Sequence, residues 1–353
     1  MPDTGNNAAF GSCPLPLDRY PHIVMAHGGG GALTRRLITD MFRSVFSNPQ
    51  LDRDHDSAVF PAGSGKIAMT TDSYVVHPLF FPGGNIGELA VYGTVNDLCM
   101  AGAVPRYLSL GLVLEEGLET EILWQIVNHI GDAAKRCDVQ IVTGDTKVVE
   151  RGKGDGIYIN TAGIGWVADG TDIAPTNITA GDAIIISGDI GRHGIAVLAS
   201  REGLAFQTDL KSDCAPLIGP VRALLDAGIP VHCLRDLTRG GLGAALIELA
   251  GTSGLGFAIS DPAVPVSAPV RSACDLLGFD PYFVANEGRF VALIPDEKCN
   301  EALSILRSQA VSAGAVRIGT VTAGKPGLVE IANDFGGVRI LQLFSGEQLP
   351  RIC

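Results

Sequence analysis

The last residue of the chain is a cysteine, Cys353. An unpaired thiol at a chain end is ordinarily a liability, open to oxidation and stray disulfides. With an ordinary thiol pKa of about 8.5, only a few per cent is thiolate at neutral pH. The terminal carboxylate disfavours further ionisation, and Arg351 partly offsets that. Beside the features below, the better account of Cys353 is a nucleophile on a swinging arm. Four aspartates form a second group. Asp72 follows the strand-like Ile67–Thr71, Asp97 sits in Thr94-Val95-Asn96-Asp97-Leu98, Asp145 follows Gln140–Gly144, and Asp236 follows Val231–Arg235. Carboxylates at the ends of buried segments suit Mg²⁺, which takes oxygen ligands and shares them with substrate phosphates. Taken singly, each is as readily a cap or turn residue. Lys147 lies two residues after Asp145, so on a strand both face one side. That arrangement serves a metal ligand beside a phosphate-holding cation, or a surface ion pair. Glu287, in Asn286-Glu287-Gly288 before the apolar run Phe290–Ile294, acts as a general base if burial lifts its pKa, and otherwise belongs to an ordinary turn.

Glycines complete the inventory. Gly28, Gly29, Gly30 and Gly31 stand where the short apolar run Ile23–Ala26, read as a strand, gives way to a helical pattern. Consecutive glycines let backbone N–H groups approach a phosphate, and a helix N-terminus adds a favourable dipole. A glycine-rich turn is the plainer reading. No Walker A loop occurs, since Gly63-Ser64-Gly65-Lys66-Ile67 lacks the first glycine and the hydroxyl residue. Gly188–Gly194 is another glycine-spaced turn ahead of a helix, in which His193 is as readily a packing residue as a ligand.

The elements that must position these residues alternate between strand and helix. Leu33, Leu37, Ile38, Met41, Phe42, Val45 and Phe46 give one apolar helical face. Lys66–Thr71, Tyr107–Leu114 and Gly156–Trp166 read as strands, and Val91–Ala101 and Glu119–Cys137 as helices. The polar stretch Ala168–Gly181 is the candidate domain boundary. A second series follows, with strands at Ala183–Ser187 and Phe290–Ile294 and helices at Leu242–Ala250 and Glu297–Ala313. The fold class is therefore α/β (α+β) in two lobes of mixed sheet and helices. The expected organisation is an N-terminal segment carrying the glycine loop (1–48), a first domain (49–170), a second domain (171–343) and a mobile tail (344–353) punctuated by Gly346 and Pro350.

Composition narrows the function. The chain of 353 residues carries 38 acidic and 26 basic side chains, a net charge of −12. Such a surface repels phosphate backbones and argues against a nucleic-acid binder, while leaving room for one nucleotide in a local pocket. Neither a signal peptide nor a run long enough to span a membrane is visible, so a cytoplasmic protein is expected. The eight cysteines contain no C-x-x-C pair, and without a secretory signal a disulfide scaffold is implausible at this length. The 45 glycines have no period and read as tight turns and close backbone approaches.

In order, His27-Gly28-Gly29-Gly30-Gly31, Thr71-Asp72-Ser73, Asn96-Asp97-Leu98, Gly144-Asp145-Thr146-Lys147, Asp236-Leu237-Thr238-Arg239-Gly240-Gly241 and Asn286-Glu287-Gly288 resemble the aminoimidazole ribonucleotide synthetase-like (PurM-like) ATPases. The closing Pro350-Arg351-Ile352-Cys353 resembles the tail of the carbamoyl dehydratases of [NiFe]-hydrogenase maturation within that superfamily. The likeness runs from Ile23 to Cys353. It implies that a carbamoyltransferase, HypF, loads a carbamoyl group onto Cys353, that ATP drives its dehydration to a thiocyanate, and that the cyanide passes to iron on a HypC–HypD scaffold. It further implies His27, the glycine loop, Asp72, Asn96, Asp97, Asp145, Asp236 and Asn286 around ATP. Asp72, Asp97, Asp145 and Asp236 become Mg²⁺ ligands, Lys147 a phosphoryl-transfer residue, and Glu287 the base. A homodimer built on paired N-lobe sheets is also implied. Other ATPases of the superfamily remain the alternative, such as a selenophosphate synthetase or a thiamine-monophosphate kinase. The only early cysteine is Cys13 and no lysine precedes Lys66, which weakens the first of these. A non-catalytic scaffold is the reading from another class.

Overall fold

A computed structural model describes residues 11–53, 57–58, 65–202 and 210–343. Cys353, with Gly346, Pro350 and Arg351, lies outside the described residues.

Two mixed sheets organise the chain. The first contains β1 (Lys66–Tyr74), β4 (Ala103–Glu115), β5 (Gln140–Val149) and β6 (Ile157–Val167) in the order β1-β6-β4-β5. Only β4 and β5 run parallel. A small hairpin, β2 (Phe80–Phe81) with β3 (Gly84–Asn85), leads into helix α3 (Ile86–Met100). Asn85 caps α3 by accepting from the Glu88 N–H at 3.0 Å and donating to the Glu88 carboxylate at 2.9 Å, a reciprocal arrangement that fixes a helix start. Helix α4 (Thr120–Arg136) packs beside α3, burying Leu123, Ile126, Val127 and Ile130 on one face. Both helices cover one side of the sheet. Among the described residues its other side is uncovered, with Ile67 and Met69 exposed on β1 and Val104 on β4.

Ahead of β1, the helical face expected near residues 33–46 forms as α1 (Ala32–Arg36), a π-turn (Leu37–Phe42) and α2 (Arg43–Phe46). Leu37, Met41 and Phe46 are buried, whereas Ile38 faces solvent. The run Ile23–Ala26 is not a strand. Ile23 bonds through its backbone to Leu118 and Gly117, and a 3₁₀ turn at Met25–His27 follows.

The second sheet has the order β13-β12-β9-β11-β7-β10-β8, built from β7 (Ala183–Ile186), β8 (Cys233–Asp236), β9 (Gly256–Ser260), β10 (Phe290–Ile294), β11 (Val316–Thr322), β12 (Val329–Ala332) and β13 (Val338–Ile340). Its one parallel pair is β9 with β12. The central β7 and β10 are buried along their whole length, as expected of apolar runs covered on both faces. Helices α5 (Arg192–Arg201), α6 (Ile218–Asp226), α7 (Gly241–Ser253), α8 (Ala268–Leu277) and α9 (Cys299–Arg307) complete the lobe. The helix expected over Glu297–Ala313 is thus shorter, with 3₁₀ turns at Asp296–Lys298 and Ala310–Ser312 on either side of α9. Among the described residues no helix is long and apolar enough to cross a membrane.

Candidate active site

The carboxylates gather at the C-terminal half of β1. Thr70, Asp72 and Tyr74 alternate onto the helix-covered face of the sheet. There the Thr70 hydroxyl donates to Asp97 of α3 at 2.9 Å. Asp236 ends β8 and comes in from the second lobe, through contacts between α3 and that strand. Burial pushes Asp236 up to about 7, with the charges of Asp97 and Asp72 adding to it, while Arg235 works in the opposite direction. Asp97 is also raised, first by burial and then by Asp72. Arg239 approaches Asp72 at 3.6 Å with its guanidinium mostly exposed. Burial and neighbouring carboxylates thus favour the protonated forms of Asp97 and Asp236, and with Asp72 they form an open acidic group rather than a finished cage. Among the described residues no three His, Cys, Asp or Glu side chains form a ready metal cluster.

Tyr74 follows on the same face of β1. Its phenol is buried, lies 3.4 Å from the Thr94 hydroxyl, and is held well above its ordinary pKa by burial and the charge of Asp72, with smaller pushes from Glu287 and Asp97. It therefore stays neutral, within electrostatic reach of both the acidic group and Glu287. Gly93 makes room for it, since a Cβ there would overlap the Tyr74 hydroxyl.

Glu287 is buried in the turn before β10. Its neighbour Asn286 has a side chain fully used within the second lobe. The Asn286 oxygen accepts from Gly191 N–H at 2.7 Å, and its nitrogen donates to the Leu237 and Val284 carbonyls at 3.0 and 3.1 Å. Asn96 is used similarly: its nitrogen donates to the Ala215 carbonyl and its oxygen accepts from Leu217 N–H. Both asparagines, expected at the nucleotide, act in the chain as clamps on backbone. His193 is a buried packing residue, 2.9 Å from the Ser212 hydroxyl and edge-on to Phe81.

A second group lies across the sheet. Asp145 pairs in register with Gly111, Gly111 with Asn160 and Asn160 with Ser73. Asp145 and Lys147 therefore share the open face at the β5 edge, and both are exposed. Three strand spacings, roughly 14 Å, separate that edge from β1. Asp145 thus does not join Asp72, Asp97 and Asp236 within one chain. The glycine loop belongs to the β5 side, because Gly28 packs so closely on the Val148 backbone that a Cβ would overlap it. Gly29, Gly30 and Gly31 are largely exposed, and the Gly30 N–H donates to the Thr34 hydroxyl at 2.9 Å. His27 is buried against Tyr20, accepts from Val24 N–H at 3.1 Å, and is held below its ordinary pKa by burial. It supports the loop from within and does not face outward.

All seven described cysteines are free, and burial is the first cause raising each thiol, to about 12 for Cys137 and Cys233 and about 11 for Cys274. None is a ready nucleophile. Sequence reasoning did not single out Arg239, Thr70, Tyr74 or Asp213 as site residues. Arg239 was open to notice, lying in the same short run as Asp236.

The family model described as the C-terminal domain of AIR synthase related proteins matches residues 179–331, and the corresponding N-terminal domain matches 54–167. The chain is 47% identical over 335 residues to a carbamoyl dehydratase HypE of Azotobacter vinelandii, covering 95% of this chain and 98% of the relative. A crystal structure of the hydrogenase maturation protein HypE in complex with ATP is similar at 46% identity and a TM-score of 0.90, covering 94% of this chain and 99% of the other. A HypE–HypF complex is similar at 43% identity and a TM-score of 0.76, covering 88% and 99%.

Proposed function

Because the chain belongs to the AIR synthase related family, and within it to the HypE carbamoyl dehydratases, we infer that it dehydrates a carbamoyl group carried on its own Cys353. The product is a thiocyanate that supplies the cyanide ligand of a [NiFe]-hydrogenase iron centre. One observation carries the geometric side of this reading. An acidic group suited to a cation and phosphates and a buried glutamate both act on one neutral tyrosine, Tyr74, so candidates for charge neutralisation and for proton removal lie in one neighbourhood.

The chemistry follows from poor leaving-group ability. An amide oxygen does not depart unaided, so the γ-phosphoryl group of ATP is transferred to it, with release of ADP. That transfer releases one N–H proton and gives an O-phosphorylated imidate, from which loss of phosphate and of the second N–H proton leaves S–C≡N. Phosphoryl transfer is chiefly positioning and charge neutralisation, which suits Lys147 and the glycine loop. Glu287 accepts the N–H protons in turn, giving up the first to solvent or phosphate before taking the second. Asp72, Asp97 and Asp236 fit Mg²⁺, which keeps part of its water shell and shares its remaining positions with phosphates. When bound it would neutralise phosphate charge.

The β5 group must still reach the nucleotide. A homodimer pairing the open faces around Ile67, Met69 and Val104 would cover their apolar side chains. It would also carry Lys147 and the glycine loop of one subunit towards the β1 edge of its partner, at whose C-terminal half the carboxylates gather. On this reading a HypF-type carbamoyltransferase loads the tail, as the existence of a HypE–HypF complex for a relative supports, a HypC–HypD scaffold takes the cyanide, and the reaction is cytoplasmic.

Carbamoylated protein given Mg-ATP should release about one phosphate per chain in a single turnover. A scaffold, or an ATPase of another kind without use for the tail, would release no phosphate that depends on the carbamoyl group.

A further inference from the structure

The segment from Leu210 to Leu217 crosses between the lobes and touches the Glu287 turn through the Asp213 side chain and through its own backbone. Asp213 is buried, and its two carboxylate oxygens accept from Glu287 N–H at 3.3 Å and Gly288 N–H at 3.1 Å. The Ala215 N–H returns a bond to the Glu287 carbonyl at 3.3 Å. Gly288 permits this approach, since a Cβ there would overlap the Asp213 carbonyl. The segment is held in turn by the first lobe. Ser212 N–H donates to the Pro82 carbonyl at 2.8 Å, and Asn96 on α3 grips Ala215 and Leu217. Asn96 directly precedes Asp97. The remaining anchors of the turn, Asn286 and Arg289, belong to the second lobe; Arg289 donates to the Gly288 carbonyl at 2.9 Å and to Asp189.

We propose that Asp213 is a positioning residue for Glu287, fixing the base relative to the α3 carboxylate through the strap at 210–217. This rests on the assignment of Glu287 as the base. A carboxylate accepting two adjacent N–H groups is a strong, directional hold. Proton abstraction is steeply sensitive to such alignment, because a misplacement near 1 Å costs on the order of a hundredfold. An amide in place of the carboxylate sets an NH₂ against one of the two N–H donors and loosens the turn without removing Glu287.

Single-turnover measurements on carbamoylated full-length protein test this. Asp213→Asn should lower the rate of nitrile formation by roughly 10- to 100-fold, while KM for ATP stays within about twofold of wild type. In the Glu287→Gln background the same substitution should cost nothing further, because there is no base left to position. A wild-type rate for Asp213→Asn, an equal loss in both backgrounds, or an effect confined to KM would each overturn the proposal. Wild-type turnover by Glu287→Gln alone would instead remove the base assignment, a separate and recognisable failure. Should Asp213→Asn fail to fold, Ser212→Ala loosens the same strap by freeing the Cys214 N–H. It should slow nitrile formation several-fold at unchanged KM, and an unchanged rate there would equally overturn the proposal.

Discussion

At the β1 edge of the first sheet, Asp72, Asp97 and Asp236 come from both lobes and are partly buried, and Asp97 and Asp236 are held above the ordinary carboxylate range by burial and neighbouring carboxylates. At the β5 edge, Asp145 and Lys147 stand exposed beside an open glycine loop. The first group sits on the helix-covered face and the second on the uncovered face. Burial explains the contrast. Carboxylates brought together out of water store electrostatic cost that a cation relieves. A lysine in water stores none, and becomes effective only where a phosphate is brought to it. The β1 side is thus organised in advance, and the β5 side waits for a nucleotide and a second sheet.

The largest effect expected from perturbing either group comes from the base beside the β1 side. Glu287→Gln should still bind ATP and accept the carbamoyl group, yet slow nitrile formation by roughly 10²- to 10⁴-fold. Rapid-quench analysis of the tail checks this, and wild-type turnover would free Glu287 of any part in the reaction. Mixing sharpens the comparison between the two edges. Lys147→Ala and Asp97→Asn should each be nearly inactive in ADP production. Random reassortment of the two should restore about a quarter of wild-type turnover, because half the dimers then hold one intact composite site. No recovery on mixing would place both groups at one nucleotide within a single chain.

A smaller, graded effect is expected from pH. Asp236, pushed up to about 7 by burial and then Asp97, carries its proton below that pH in the metal-free protein. Its ordinary carboxylate value is lower, so the ionised form a cation needs is populated only as pH rises through about 7. Mg²⁺ affinity should therefore be greatest above that point and fall roughly tenfold per pH unit below it for one displaced proton. Calorimetric titrations at pH 6 and pH 8 read this directly, and equal affinities would separate Asp236 from the cation.

The elements whose signal is local were open to sequence reading. Strands β6, β7 and β10 announce themselves as apolar runs, and the amphipathic α4 by its period. Helix α3, expected from Val91, starts at Ile86, where the Asn85–Glu88 cap fixes its beginning. Ile23–Ala26 looked like a strand and is instead held by the turn around Gly117, a contact with no trace in its own residues. The site divides in the same way. Each aspartate could be recognised at a segment end, yet the separation of Asp145 from the other three follows from strand order, which spacing does not encode. Asp213 was invisible for the same reason, since its partners lie far along the chain.

The most direct test of the dehydratase assignment is the mass of the C-terminal peptide from carbamoylated protein before and after Mg-ATP. The account predicts that the peptide bearing Cys353 loses the mass of one water and nothing else. A carbamoylated peptide that stays unchanged while ATP is consumed, or a loss located on another cysteine, would contradict it.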